Sequence, residues 1–280
     1  MLKYQIKKIT FLENKNEIFL ILIGTIFFSV VAYLAKALTL SGAILALIVG
    51  ILIGLGGGMY GYGLLGLFFI SSMWWSYYKE ERKYHLYHLH EKGPKRDSIQ
   101  IICNGGIPAL CCLGYGISHE EVFLVATAVS LASATADTWA SEIGVLSSHP
   151  PRSILNFKPL DKGLSGGVSV IGTLASIAGA CLMASFSATW LTVFSLSSQT
   201  WGTLFLSVCL LGILGSILDS YLGSLIQPKY ECVECHLITE RRLHHDQPTN
   251  LVGGWSLMNN DWVNLLSQFI VTLLAFLLMK

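Results

Sequence analysis

The sequence predicts an all-α, polytopic helical membrane protein with about seven to eight transmembrane helices. Only 12% of its 280 residues are charged, 53% are hydrophobic, and the mean hydropathy is +0.60. An ordinary soluble domain carries about 25% charged residues. Several apolar runs have the length that crosses a bilayer as a helix, roughly 17–25 residues. The net charge of +1 gives no indication of nucleic-acid binding, and membrane lipids are the expected surroundings.

The chain divides into a basic N-terminal lead, residues 1–17, and a single integral-membrane domain, residues 18–280. The first apolar run resembles a signal peptide in its flank, but a second run follows at once, so we expect a retained helix. A glycine-rich stretch between the second and third runs predicts a tight turn. The eight runs cover residues 18–35, 41–55, 64–78, 99–117, 122–146, 166–186, 202–227 and 262–279.

Three polar loops, residues 79–97, 147–165 and 228–261, follow the third, fifth and seventh runs. If every run crosses the membrane, all three loops lie on the same face. They hold twelve of the eighteen Lys and Arg residues, which by the positive-inside rule predicts a cytoplasmic face. The four lysines of the lead then fall on the opposite side. Either the rule fails there or one of the first three runs does not span, so the N-terminal topology stays open.

Two acids inside an apolar segment, Asp137 and Glu142, are the most unusual feature of the chain. A charged side chain at the bilayer centre costs about 2.5–3.5 kcal/mol on insertion scales. On a helix, Asp137 and Ser141 share one face, and Glu142 lies on another. One interpretation is a pair of acids at a helix end near the headgroups. The other is a metal or proton site.

Polar residues cluster where five helices meet the face of the three loops, which predicts a shared site. Helix N-termini with glycine-rich entries suit phosphate, and carboxylate oxygens suit Mg²⁺. Glycines there would also allow close helix packing. The predicted catalytic residues are Asp137, Glu142, Asp219, Lys95 and Arg96, and the predicted Mg²⁺ ligands are Asp137, Glu142, Asp219 and Asp261. The predicted nucleotide- and substrate-binding residues are Asp97, Gln100, Asn104, Ser141, Lys162, Ser165, Gly166, Gly167, Ser220, Asn260 and Asn264.

The third polar loop also contains Cys232-x-x-Cys235 and His244-His245. Two thiolates and one or two imidazoles can hold a structural Zn²⁺ ion. The second half of the pattern is looser than in a zinc finger, so zinc is a subordinate hypothesis. The other five cysteines lie in apolar runs, where packing is their expected role.

Five motifs resemble the DUF92 / transmembrane protein 19 family, which includes phytyl-phosphate kinase. They are Lys-Arg-Asp-x-x-Gln-x-x-x-Asn-Gly-Gly from Lys95, Ala-Asp-Thr-Trp-Ala-Ser-Glu-Ile-Gly from Ala136, Ser-Gly-Gly-Val-Ser-x-x-Gly-Thr from Ser165, Gly-Ser-x-x-Asp-Ser-x-x-Gly from Gly215 and Asn-Asn-Asp-x-Val-Asn from Asn259. The resemblance covers roughly residues 20–279. It does not extend to His244-His245 and lends zinc no support.

The resemblance implies a membrane kinase that uses CTP, or another nucleoside triphosphate, with Mg²⁺ to convert an isoprenoid monophosphate to its diphosphate. Two alternatives remain at this stage. Cytidylyl transfer to a lipid phosphate would use the same nucleotide, metal and face. An ion-coupled transporter would use the intramembrane acids as a relay, although transporters often show inverted repeats, and this chain has no evident repeat. The sequence gives no indication of oligomeric state.

Overall fold

The computed structural model describes residues 15–83, 89, 92 and 95–279. Residues 1–14 of the predicted lead and part of the first polar loop lie outside this range. The all-α class is confirmed, and seven of the described helices are long and apolar enough to cross a membrane. The helices are α1 (Lys15–Leu34), α2 (Leu40–Tyr77), α3 (Glu80–Lys83), α4 (Ser98–Ser118), α5 (Glu121–Gly144), α6 (Val170–Val193), α7 (Trp201–Ile226) and α8 (Asn260–Leu278).

α2 folds back on itself at Gly58, whose φ of 58° and ψ of −152° are not helical. A straight helix of 38 residues would be about 57 Å long and would hold Ala43 and Met73 about 45 Å apart. Instead, Met73 packs against the cluster that contains Ala43. α2 therefore consists of two antiparallel arms, residues 40–57 and 59–77. Each arm is about 27–29 Å long, close to the thickness of the bilayer hydrocarbon core.

The predicted turn between the second and third runs is real but much shorter than the glycine-rich stretch suggested. Only Gly58 leaves the helical conformation, and the glycines around it serve packing. A Cβ at Gly57 would lie 2.6 Å from the Cys112 sulfur, and one at Gly63 would lie 2.7 Å from the Phe186 ring. These contacts explain why small residues extend well beyond the turn itself.

α5 forms the centre of the bundle, and its residues 124–136 are all buried. Small residues let its neighbours approach closely. A Cβ at Gly212 of α7 would lie 2.9 Å from the Ala132 methyl group, and one at Gly172 of α6 would lie 3.0 Å from the Ala140 carbonyl oxygen. This close packing aligns the ends of α5, α6 and α7 at one face.

The polar loops contain short strands that the hydropathy pattern did not indicate. β1 (Arg152–Ser153) pairs with β2 (Gly167–Val168), so α6 begins at Val170 rather than at Gly166 as predicted. The third loop holds two small antiparallel sheets. The first has the order β4–β3–β7 and the second pairs β5 with β6. Their strands are β3 (Lys229–Glu231), β4 (Ile238–Thr239), β5 (Leu243–His244), β6 (Gln247–Pro248) and β7 (Asn250–Gly253).

Candidate active site in a one-sided polar cavity

A cavity of about 410 Å³ lies where helix ends and polar loops meet at one face of the bundle. Its wall comes from the C-terminal ends of α2, α5 and α7, the N-terminal ends of α4, α6 and α8, and all three polar loops. Most of the residues proposed from the sequence line it. These are Arg96, Gln100, Asn104, Asp137, Ser141, Glu142, Lys162, Ser165, Gly166, Gly167, Asp219, Ser220, Asn260, Asp261 and Asn264.

Two predicted residues lie outside this wall. Lys95 is exposed to solvent and does not line the cavity, because the chain turns it outward just before α4. Asp97 is the N-cap of α4, where it forms a capping box with Gln100, and its Oδ2 pairs with Lys92 Nζ at 2.7 Å. The structure therefore gives Asp97 a positioning role at the start of α4, and Lys95 contributes no side chain to the cavity.

Lys83, which the sequence did not single out, lies buried on the wall of the cavity. Its ammonium group donates to Glu142 Oε2 at 2.7 Å and to the Trp75 carbonyl at 2.5 Å. Ser76 donates to the other oxygen of Glu142 at 2.8 Å. The ion pair of Glu142 with Lys83, together with the hydrogen bonds to Trp75 and Ser76, therefore joins α5 to the end of α2. No local signal marked Lys83, because it is one of several basic residues in a polar loop.

Lys92 forms a second ion pair on the wall, with Asp261 in the first turn of α8 at 2.5 Å. Burial acts to lower the pKa of Lys92, but the hydrogen bonds to Asp261 and Asp97 outweigh burial and raise that pKa above its ordinary value. Burial likewise acts to raise the pKa of Asp97, yet Lys92 and the backbone N–H of Gln100 lower it overall. Lys92 therefore ties the start of α4 to the start of α8.

Asp137 and Asp219 line the wall, and neither has a lysine partner in the described part of the chain. Asp137 has no hydrogen bond or ion pair with any described residue, and Asp219 accepts one hydrogen bond, from Ser267 at 3.0 Å. The close approach of α5 and α7 at Gly212 and Gly215 brings the two acids to the same level. Two carboxylates on adjacent helices facing one cavity are the natural place for a divalent cation.

The four acids predicted as Mg²⁺ ligands do not form a closed ligand set. Among the described residues, the one group of three or more His, Cys, Asp and Glu side chains whose ligand atoms converge is the Cys232, Cys235, His244 and His245 cluster. That cluster lies in the third loop and does not line the cavity. Mg²⁺ is commonly held by one or two carboxylates together with substrate phosphates, so Asp137 and Asp219 are the two acids of the cavity that could hold it.

The Gly163–Gly167 segment forms a tight wall next to α7. Gly163 and Gly166 have φ values of 91° and 81°, in the left-handed region that favours glycine, and a Cβ at Gly166 would lie 2.7 Å from the Ser224 Cα. Ser165 beside them donates a hydrogen bond to Glu240, a buried acid of the third loop that no sequence motif indicates. Lys162 donates to the Ser147 carbonyl and also lines the cavity.

An apolar groove of about 100 Å³ adjoins the polar cavity. It runs between α1, both arms of α2 and α4, and four residues line both spaces: Phe68, Arg96, Gln100 and Asn104. The Arg96 guanidinium lies 5.6 Å from the centre of the Phe68 ring at this junction. Burial lowers the pKa of Arg96, and the charge of Glu142 acts in the opposite direction. The Arg96 guanidinium therefore lies where the polar cavity and the apolar groove meet.

Comparison with known proteins agrees with this architecture. The sequence model of the family described as integral membrane protein DUF92 matches residues 23–272. The chain is 30% identical to Protein PGR of Arabidopsis thaliana over 263 residues, which covers 87% of this chain and 90% of that protein. It is 34% identical to an uncharacterized membrane protein of Methanocaldococcus jannaschii over 134 residues, 48% of this chain and 52% of that one. No solved structure matches.

Proposed function

The chain belongs to the DUF92 family of integral membrane proteins, and from that premise we propose that it is a phosphotransferase acting on a lipid phosphate. The substrate we propose is an isoprenoid monophosphate, which CTP or another nucleoside triphosphate would convert to its diphosphate in the presence of Mg²⁺. The reaction would take place at one membrane surface, which we assign to the cytoplasmic side because most Lys and Arg residues of the chain lie in the loops there.

The observation that carries this proposal is the junction of the polar cavity with the apolar groove. A lipid phosphate needs an apolar path for its tail and a polar, cationic site for its headgroup. The groove meets the first need, and Arg96 at the junction meets the second. The polar space, about 410 Å³, lies within the range of 300–1,000 Å³ typical of small-molecule sites. An ion pathway would need neither an apolar branch nor a cation at its mouth.

Asp137 and Asp219 would hold Mg²⁺ together with the phosphate oxygens of the nucleotide. Asn264 offers a further oxygen, since its buried side-chain carbonyl has no hydrogen-bond partner among the described residues and the residue lines the same cavity. When bound, Mg²⁺ neutralises charge on the phosphate oxygens and so favours attack by another anion. Glu142 and Asp261, paired with lysines, keep the walls of the site in place.

The residues of the chain have clear tasks in this reaction. An oxygen of the lipid phosphate attacks the terminal phosphorus of the nucleotide, the bond from that phosphorus to the bridging oxygen breaks, and the nucleoside diphosphate leaves. The nucleophile is already an anion, so no strong general base is required. Arg96 and Lys162 would stabilise the negative charge on the transferred group and hold the two substrates in line.

The test uses the full-length protein in liposomes with Mg²⁺, CTP labelled at the terminal phosphate and a panel of phytyl, geranylgeranyl and longer polyprenyl monophosphates. We expect a labelled lipid diphosphate and CDP. Asp137→Asn and Asp219→Asn should each abolish turnover while the protein still inserts and remains folded. Asp161→Asn is the matched control, because Asp161 is an exposed acid of the second loop that does not line the cavity.

Other outcomes overturn particular parts of the proposal. A CDP-lipid with release of pyrophosphate would make the protein a cytidylyltransferase with the same site. Normal turnover by Asp137→Asn would remove the assigned role of that acid. No product with any nucleotide, from a folded protein, would reject phosphoryl transfer and favour transport through the cavity.

A further inference from the structure

The third polar loop contains a second cluster of reactive side chains, separate from the cavity. Cys232 follows β3 and Cys235 precedes β4, so the two thiols lie in the tight turn between these strands. The Cys232 N–H donates to the Leu237 carbonyl at 3.0 Å. The Glu234 N–H donates to the Cys232 sulfur at 3.4 Å. A sulfur that accepts a backbone N–H at such a turn is suited to carry the negative charge of a metal-bound thiolate.

The other two side chains of the cluster come from the β5–β6 hairpin. His244 ends β5, and His245 and Asp246 form the turn, with φ values of 54° and 57°. This turn brings both imidazoles beside the cysteine turn. Cys235 Sγ lies 3.7 Å from His244 Nδ1, and one ligand atom from each of the four residues lies within 4.8 Å of all the others.

These separations fit tetrahedral zinc. With Zn–S bonds of about 2.3 Å and Zn–N bonds of about 2.0–2.1 Å, tetrahedral geometry places ligand atoms about 3.3–3.8 Å apart. The 3.7 Å contact between Cys235 and His244 already lies in that range. The other ligand atoms lie within 4.8 Å of one another, so movements of about 1 Å by side-chain rotation bring them to the zinc-bound separations. The set contains four protein ligands, two thiolates and two imidazoles, as in structural rather than catalytic sites.

We propose that Cys232, Cys235, His244 and His245 bind one structural Zn²⁺ ion, which joins the β3–β4 turn to the β5–β6 hairpin. This site goes beyond the proposed phosphoryl transfer and requires no substrate. The zinc would close the loop formed by residues 232–245 and so hold what lies within it.

The segment enclosed by the four ligands reaches the cavity. Glu240 lies between the cysteine pair and the histidine pair, is buried, accepts a hydrogen bond from Ser165 and lines the cavity wall. Thr239 beside it donates to the Leu89 carbonyl at 2.9 Å. Because the enclosed segment carries Glu240, the zinc acts as a clamp that positions one wall of the site.

The test measures metal in the full-length protein, purified in detergent with an affinity tag that contains no histidine. We expect about one zinc per chain by elemental mass spectrometry. Replacing zinc with Co²⁺ should produce the sulfur-to-metal absorption band of a thiolate complex. Cys235→Ser and His245→Ala should each lose the metal. His236→Ala is the matched control, since His236 belongs to the same loop but pairs with Glu231 at 2.9 Å instead.

Limited proteolysis provides a second measurement, of how firmly the loop is held in place. Arg241 and Arg242 lie inside the segment that the zinc closes, so trypsin should cut there slowly in the zinc-bound protein and at least tenfold faster after chelation or in Cys235→Ser. Trypsin should cut His236→Ala as slowly as it cuts the wild-type protein.

Three results would overturn the proposal: wild-type protein without zinc after expression and reconstitution with the metal, full zinc content in both ligand variants, or a disulfide between Cys232 and Cys235 in the unreduced protein. None of these measurements uses a nucleotide or a lipid. Their outcome is therefore independent of the proposed phosphoryl transfer.

Discussion

Replacing Lys83 with Met would test whether Glu142 is a structural anchor or a metal ligand. The Lys83 side chain is 4% exposed and its ammonium group donates to Glu142, the Trp75 carbonyl and, at 3.4 Å, the Ser76 carbonyl. Methionine keeps much of the aliphatic length and removes the charge. Among the described residues, the substitution leaves the Ser76 hydroxyl as the one hydrogen-bond partner of the Glu142 carboxylate.

The size of the destabilisation expected for Lys83→Met follows from the burial of the ion pair. Removing one partner of a buried ion pair costs about 3–5 kcal/mol, because the other charge remains uncompensated. Glu142 is 27% exposed, so water partly screens the remaining carboxylate, and we expect the lower end, about 3 kcal/mol. Glu142→Gln in the Lys83→Met background removes that charge and should restore about 1–2 kcal/mol, within the range of coupling energies for residues in contact.

Stability is measured by reversible unfolding in mixed detergent and SDS micelles, followed by circular dichroism. Arg82→Met is the matched control: Arg82 is an exposed cation one residue away on α3, and its replacement should change stability by less than about 0.5 kcal/mol. Equal stability of Lys83→Met and the wild type would refute the anchoring role. So would a Glu142→Gln variant that keeps full stability but loses activity as completely as Asp137→Asn.

Three further predictions test the groove, the helix packing and the ion pairs of Lys92. Gly66→Leu should fill the groove, because a Cβ there meets no atom within 4 Å, and turnover of long-chain substrates should fall at least tenfold. Gly202→Leu, at an equally open site on α7, is the control and should cause no fall. Unchanged turnover by Gly66→Leu would exclude the groove as the path of the lipid tail. Gly215→Val should lower stability by about 1–3 kcal/mol by overpacking against Ser133, and an unfolding curve like the wild type's would contradict the close approach of α5 and α7. The pKa of Asp97 lies below that of an unfolded Asp, about 3.9, so its ion pair contributes stability above that pH and loses it as the pH falls through the folded pKa. Asp97→Asn keeps the N-cap but should lose less thermal stability below about pH 4 than the wild type does. The same loss of stability in both proteins would show that the charge of Asp97 does not contribute.

The sequence alone determined the class of the protein and the position of its polar clusters. Apolar runs of membrane-spanning length depend only on local composition and on the absence of water in the bilayer, so their number can be counted without a structure. The acid and glycine motifs around Asp137, Asp219 and Gly166 are likewise local, and all of them line the cavity. The glycine-rich stretch predicted a turn, and the structure reduced it to Gly58.

Only the tertiary structure decided which charged side chains of the cavity are paired with one another. Lys83 and Glu142 are 59 residues apart, and Lys92 and Asp261 are 169 residues apart, so no local pattern links them. The sequence placed Lys95 in the site because it is a cation at the start of the fourth helix on the polar face, but the direction of its side chain depends on where α4 begins. The same holds for Glu240, whose contact with Ser165 forms only when the second and third loops meet at the cavity. Pairing in space depends on how helices pack, and helix packing is a property of the whole chain.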